Sequence, residues 1–196
     1  MLGRAHLVIA AALAFAACKG SDYDVLDRQD ETSGESTGAG GGSTAAAAAA
    51  QIAPKSGSSV TGEATVTQKD GKVSMMVRLS NAPPGAHAVH LHEKGDCSAP
   101  DASSAGEHWN PDGRPHGKRG SGVYHAGDLG NIEVGPDGTG SLTLDAEDWS
   151  LDAASPKNPV GKAVIVHAQA DDFATQPDGA GGQKIGCGVL ESGRES

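Results

Sequence analysis

The sequence predicts an all-β domain, an antiparallel sandwich or barrel, and three observations carry that prediction. Apolar residues recur at every second position in short runs from Val60 onward. Turn-forming clusters of Gly, Pro, Asp and Asn separate consecutive runs. Two long Gly-, Pro- and Asp-rich loops, 94–126 and 169–184, interrupt the pattern, and loops of that length within one domain usually carry function.

Of the 196 residues, the first eighteen read as an export signal. Arg4 supplies the positive start, Leu7 to Ala17 is an apolar run, and the small residues Ala16 and Ala17 precede Cys18. Eleven apolar residues fall short of the ~20 that a helix needs to cross a bilayer, so no transmembrane anchor is expected. Phe15-Ala16-Ala17-Cys18 resembles a bacterial lipobox, with Phe15 where leucine is usual. That resemblance implies a lipidated Cys18 and a protein held to the cell envelope or periplasm by an N-terminal lipid anchor. Residues 19–57 are read as a disordered tether. Six acidic residues between Asp22 and Glu35, a Gly/Ser/Thr tract and six alanines from Ala45 to Ala50 offer too little apolar surface to offset the entropy of ordering. Six alanines are also too few to hold a helix in water. The folded domain is placed at 58–192, with 193–196 as a tail.

Within the domain, Val60 to Val66 alternates loosely, Lys69-Asp70-Gly71 turns the chain, and Val73, Met75, Val77 and Leu79 complete a hairpin. Asn81 to Gly85 makes the next turn, and Ala86 to Glu93 runs on as a strand. Ile132 and Val134, the turn Gly135-Pro136-Asp137-Gly138, and then Leu142 and Leu144 form a second hairpin. Ala163 to Ala168 and Ile185 to Leu190 supply two further strands.

Composition narrows the function. Fifteen basic against 25 acidic residues, a net charge of -10, disfavour nucleic acid or an anionic membrane surface as partner. Three cysteines exclude a cysteine-rich zinc module or a disulfide-dense scaffold, whereas eight histidines invite a metal reading. From Ser58 onward neither a Gly-x-Ser-x-Gly elbow nor a phosphate-cradling Gly-Lys-Ser/Thr motif occurs.

His6 belongs to the signal, and the other seven histidines lie within 81 residues. His90 and His92 alternate in a strand and share one face about 7 Å apart, so they can grip one ion. His87 shares the side of Val89 and Leu91 and is expected to be buried and hydrogen-bonded. His108, His116, His125 and Asp128, at intervals of eight, nine and three, make the nitrogen and oxygen set that a tetrahedral zinc accepts. His167, ending an apolar strand, adds a third imidazole to the His90 and His92 pair, a combination that favours copper.

His87-Ala-Val-His-Leu-His-Glu-Lys-Gly-Asp-Cys97, Glu107-His-Trp-Asn-Pro111, Tyr124-His-Ala-Gly-Asp-Leu-Gly-Asn131 and Gly186-Cys-Gly-Val189 closely resemble copper/zinc superoxide dismutase of the bacterial exported type. The resemblance runs from about Ser58 to Leu190. It implies an eight-stranded Greek-key β-barrel with one copper and one zinc per subunit held outside the barrel by two long loops. Position by position it implies copper on His90, His92, His108 and His167, and zinc on His108, His116, His125 and Asp128. His108 would bridge the two metals and serve as a catalytic proton carrier. Asp171 matches an aspartate that joins a copper histidine to a zinc histidine, His90 and His116, and Cys97 and Cys187 match the family disulfide. Lys184 stands where most members have an arginine that guides superoxide to copper; lysine keeps the charge but loses the planar fork. The activity implied is conversion of superoxide to oxygen and hydrogen peroxide. A copper-carrying module of the same fold with little turnover is the rival expectation. From Gln51 onward the chain has 12 basic and 19 acidic residues, so an anionic domain must attract an anionic substrate through local field focusing. For assembly the sequence offers only the general preference for two-fold homodimers.

Overall fold

A computed structural model describes residues 46–193. The expected signal, Cys18 and the larger part of the tether lie outside the described residues.

The strands, in chain order, are β1 Ala46–Pro54, β2 Thr61–Lys69, β3 Lys72–Ser80, β4 Gly85–His92, β5 Asp128–Val134, β6 Gly140–Asp145, β7 Ala163–His167, β8 Lys184–Val189 and the two-residue β9 Glu191–Ser192. Every pairing is antiparallel. The order β1-β2-β3-β6-β5-β4-β7-β8 closes on itself through β1, giving an eight-stranded barrel with β9 as a short continuation of β8. After the consecutive strands β4, β5 and β6, the chain returns over a long loop to lay β7 beside β4, which is a Greek key.

Two joints in this wall are thin. β5 meets β6 at the single pair Val134↔Gly140. β1 meets β8 only at Ala53↔Cys187 and Pro54↔Gly186, with β9 adding Ala48↔Ser192 and Ala49↔Glu191. The barrel is thus two four-stranded sheets, β1-β2-β3-β6 and β5-β4-β7-β8, folded against each other. Val66, Val73, Met75, Val77 and Leu79 from the first sheet and Val89, Leu91, Ile132, Val164 and Val166 from the second are buried between them. Period-two alternation explains the choice: Val89 and Leu91 face inward, so His90 and His92 face out of the barrel.

β1 corrects the extent of the tether. Residues 46–57 were expected to be disordered, yet Ala46 to Ile52 pair one for one with Gln68 to Gly62 of β2. Ala48, Ala50 and Ile52 are buried, whereas Ala47, Ala49 and Gln51 are exposed. A uniform alanine run hides this alternation, and partners distant in sequence supply the order. The connection to β2 is tied down as well, by Lys55 N donating to Ile185 O at 3.0 Å and Ser56 N to Pro100 O at 2.8 Å. The folded domain therefore includes the described residues from Ala46 on, twelve residues before the expected boundary at Ser58.

Cys97 and Cys187 form the disulfide, binding the loop after β4 to β8 across 90 residues of sequence. Trp149, buried in the loop after β6, stacks against Trp109 at 5.7 Å between ring centroids.

Candidate metal centre

The outer face of β4 begins the site. The ladder shifts register between Val89 and His90 in β4, and again between Val166 and His167 in β7, bulges of the kind that re-aim the side chains that follow. The loop after β4 then folds back onto the strand: His108 pairs with His92 as an isolated bridge, and Trp109 N donates to Leu91 O at 2.8 Å. Gly127 N donates to Trp109 O, and Leu91 N to Gly127 O, both at 2.8 Å. Three main chains lie so close here that a Cβ on Gly127 would strike Leu91 O, which is why glycine precedes Asp128. This lacing delivers His108 and Asp128 to the histidines of β4.

Two groups result, both fully buried: His90, His92, His108 and His167, and His108, His116, His125 and Asp128, with ligand atoms in each within 4.8 Å of one another. In the second group Asp128 Oδ1 lies 3.0 Å from both His108 Nδ1 and His116 Nδ1 and 3.3 Å from His125 Nδ1. His108 Nδ1 and His125 Nδ1 are 3.3 Å apart. A tetrahedral ion with bonds of ~2.0 Å has ligand-to-ligand edges of ~3.3 Å, so the donors already stand at the corners such an ion requires.

The hydrogen bonds sort the rings of His90, His92, His116 and His167 each into an outer, tethered nitrogen and an inner, free one. His92 Nδ1 is bonded to Gly106 O at 2.8 Å, His167 Nδ1 to Gly182 O at 3.1 Å, and His90 Nε2 and His116 Nε2 to the two oxygens of Asp171 at 2.8 and 2.9 Å. Against these, His90 Nδ1, His92 Nε2, His108 Nε2, His116 Nδ1 and His167 Nε2 are buried with no hydrogen-bond partner; His116 Nδ1, although near Asp128, is off the line a hydrogen bond needs. Five buried ring nitrogens without partners would be costly in a protein with nothing to bind. The outer bonds fix each tautomer so that the inner nitrogen offers a lone pair, as metal-ligating histidines require.

Electrostatics agree. Burial pushes His90 down to about 4, His92 to about 2 and His167 to about 3, keeping all three neutral. Burial alone would raise Asp128, but hydrogen bonds from His108, His125 and two main-chain amides hold it far below the carboxylate range, and therefore charged. Burial disfavours charge on His116 too, yet Asp171 and Asp128 together raise it.

His87 lies outside both groups. It is buried, with its ring nitrogens 2.9 Å from His167 O and 2.8 Å from Pro83 O. Lys184 is brought to the edge of the first group: its Nζ donates to Gly106 O at 3.1 Å, and its charge helps to lower His92 and His167. Burial lowers Lys184 itself, against the opposing pull of Glu107, Asp101 and Asp178.

Sequence reasoning missed the residues that hold Asp171. Asn131 clasps its main chain, with Nδ2 donating to Asp171 O at 3.0 Å and Oδ1 accepting from Asp171 N at 2.7 Å. Gly179 lies against its carboxylate, where a Cβ would collide with Asp171 Oδ1 and sit 2.6 Å from His116 Nε2. Only the place of Asn131 at the end of the Gly-Asp-Leu-Gly-Asn run could have drawn attention to it.

A β-barrel whose outer wall carries two buried donor groups joined through one imidazole defines a class of metal-binding protein with paired sites. The chain belongs to the copper/zinc superoxide dismutase family, whose sequence profile matches residues 60–190. It is 37% identical over 149 residues, 74% of this chain and 76% of the relative, to the superoxide dismutase-like protein YojM of Bacillus subtilis. The crystal structure of a SOD-like protein from Bacillus subtilis matches with a TM-score of 0.65 and 36% identity, covering 72% of this chain and 97% of that one. The clock protein EA4 matches with a TM-score of 0.66 and 34% identity, covering 76% and 95%.

Proposed function

We propose that this protein is a superoxide dismutase that binds copper at His90, His92, His108 and His167, and zinc at His108, His116, His125 and Asp128. The single observation that carries the reading is His108, which belongs to both donor groups, with Nδ1 beside Asp128 and His125 and a buried Nε2 that has no hydrogen-bond partner. Copper held there would supply the one-electron couple by which one superoxide leaves as oxygen and a second, with two protons, leaves as hydrogen peroxide.

The rest is the work of the chain. An imidazole that loses both ring protons is an anion, a state that only cations on both sides sustain. His108 Nε2, buried and without a hydrogen-bond partner, is the atom at which a proton is taken up and given back. His92 and His167 keep their orientation because their outer nitrogens are tied to carbonyls, and Asp171 holds His90 and His116 at once. Lys184 spends one of its three N–H donors on Gly106 O, leaving two for an incoming anion, and supplies the local positive charge that an acidic domain needs.

Superoxide decay measured on metal-reconstituted protein, with His108→Ala as the control, tests the reading. Turnover abolished in the control supports it; metal content without turnover overturns it. That second outcome would favour a copper-carrying module of the same fold, a reading supported by lysine in place of arginine at 184. We also propose an envelope location through lipidation of Cys18, which a labelled fatty acid would report and Cys18→Ser would abolish.

A further inference from the structure

The zinc-type group includes a turn, His125-Ala126-Gly127-Asp128, that supplies two of its four donors. Asp128 N closes the turn on His125 O at 3.0 Å. From inside, Asp128 Oδ2 accepts from His125 N at 2.8 Å and from Gly117 N at 3.1 Å. From outside, the turn is gripped by a residue to which the proposed mechanism gives no task. Arg119 Nε donates to Asp128 O at 2.8 Å, and Arg119 Nη2 donates to Ala126 O. Its third contact, Nη1 to Asp148 Oδ1 at 2.7 Å, fixes the guanidinium plane. The cation lies over the rings of Tyr124 and Trp149, 4.9 and 5.3 Å from the ring centroids, and its side chain is only 11% exposed. Trp149 joins the grip, its Nε1 donating to Ala126 O at 3.0 Å.

We propose that Arg119 is a positioning residue for the metal-binding turn: it presets the main chain of Ala126 and Asp128 so that the Asp128 carboxylate and the His125 ring face the ion. The inference rests on the assignment of zinc to His108, His116, His125 and Asp128. A guanidinium suits the task because its donors are coplanar and rigid, so two carbonyls of one turn and a carboxylate can be held at fixed angles. An ammonium of the same charge cannot span all three. Loss of such an outer contact to a metal site commonly weakens binding ~10- to 100-fold. The copper-type group draws no donor from this turn: His90 and His92 are on β4, His167 is on β7, and His108, shared by the two groups, precedes the turn. Loss of Arg119 therefore weakens the zinc-type group far more than the copper-type one.

The test is equilibrium competition against a chromogenic chelator, run on metal-free protein with Zn(II) alone and, separately, on zinc-loaded protein with Cu(II). Arg119→Lys is expected to weaken zinc binding about tenfold, with copper binding in the zinc-loaded protein changed less than twofold. Asp148→Asn, which keeps the shape of the carboxylate and removes its charge, is measured beside it, so that the test stands even where Arg119→Lys fails to fold. It is expected to weaken zinc binding several-fold in the same selective way. Equal loss for both metals would assign Arg119 to general stability, and unchanged zinc binding in both variants would leave it no role at the turn; either result overturns the proposal. Wild-type protein that takes up no zinc would instead overturn the assignment of zinc to this group.

Discussion

Lys184 and His92 donate to the same carbonyl. Gly106 O accepts from Lys184 Nζ at 3.1 Å and from His92 Nδ1 at 2.8 Å, so the cation offered to the substrate and the ring offered to copper are fixed against one atom. An arginine at 184 could keep that carbonyl and still present a parallel pair of N–H groups to superoxide. Lys184→Arg is expected to raise the rate of superoxide decay several-fold. Lys184→Ala should lower it about tenfold and flatten its decline with ionic strength. Stopped-flow measurements over a salt series check both; no gain from arginine would show that the missing fork is immaterial.

Asp171 bridges the two donor groups by accepting from one ring of each. An asparagine there keeps one acceptor but turns an N–H₂ toward the other ring, whose nearest nitrogen must then carry a lone pair. The proton moves to the inner nitrogen, where the metal should bind. Asp171→Asn is expected to weaken one metal by ~10- to 100-fold, with the barrel's thermal midpoint little changed. Metal analysis after dialysis against a chelator, read with a thermal melt, separates these effects.

Acid should destabilise the metal-free protein more steeply than its carboxylates alone would require. His90, His92 and His167 are lowered by burial to about 4, about 2 and about 3, whereas the unfolded chain returns them to the ordinary value of 6.5. Below pH 6.5 the unfolded chain therefore binds more protons through these groups. Their contribution to stability is full above that pH and is lost as the pH falls toward 4 and below. His116, whose value is raised, works in the opposite direction, one group against three. Urea midpoints of metal-free protein should fall between pH 7 and pH 4, and fall less in His167→Gln; a midpoint that stayed level would contradict the account.

How much was legible depended on whether the signal was local. Val73, Met75, Val77 and Leu79 announce β3 because large and small side chains alternate, and the histidines announce the site because that residue type is scarce elsewhere. β1 was illegible for the same reason inverted. Where every residue is alanine, the inward Ala48 and Ala50 look like the outward Ala47 and Ala49, and only pairing with β2 tells them apart. Arg119 was missed because its partners are main-chain carbonyls, which carry no mark in the sequence. The indole N–H of Trp149 on Ala126 O is unmarked for the same reason.

The disulfide closes a loop of 90 residues, for which chain entropy suggests a stabilisation of ~4 to 5 kcal/mol. Cys97→Ser with Cys187→Ser is expected to lower unfolding stability by about 4 kcal/mol in urea titrations. Lys55 should limit the local loosening, since its Nζ also holds the disulfide loop through the carbonyls of Cys97 and Ala99. A loss below about 1 kcal/mol would mean that these bonds already restrain the loop without the sulfur link.

The two thin joints of the barrel divide it by duty. His90, His92, Asp128, His167, Lys184 and Cys187 all belong to β4, β5, β7 and β8, while β1, β2, β3 and β6 contribute no donor to either metal group. Half of the wall is thus free to drift in sequence, provided that it keeps its inward apolar positions. Its variants would be filtered by folding alone, whereas variants of the other half answer to folding and chemistry together. A lineage could lose the chemistry, or retune it, without redesigning the barrel.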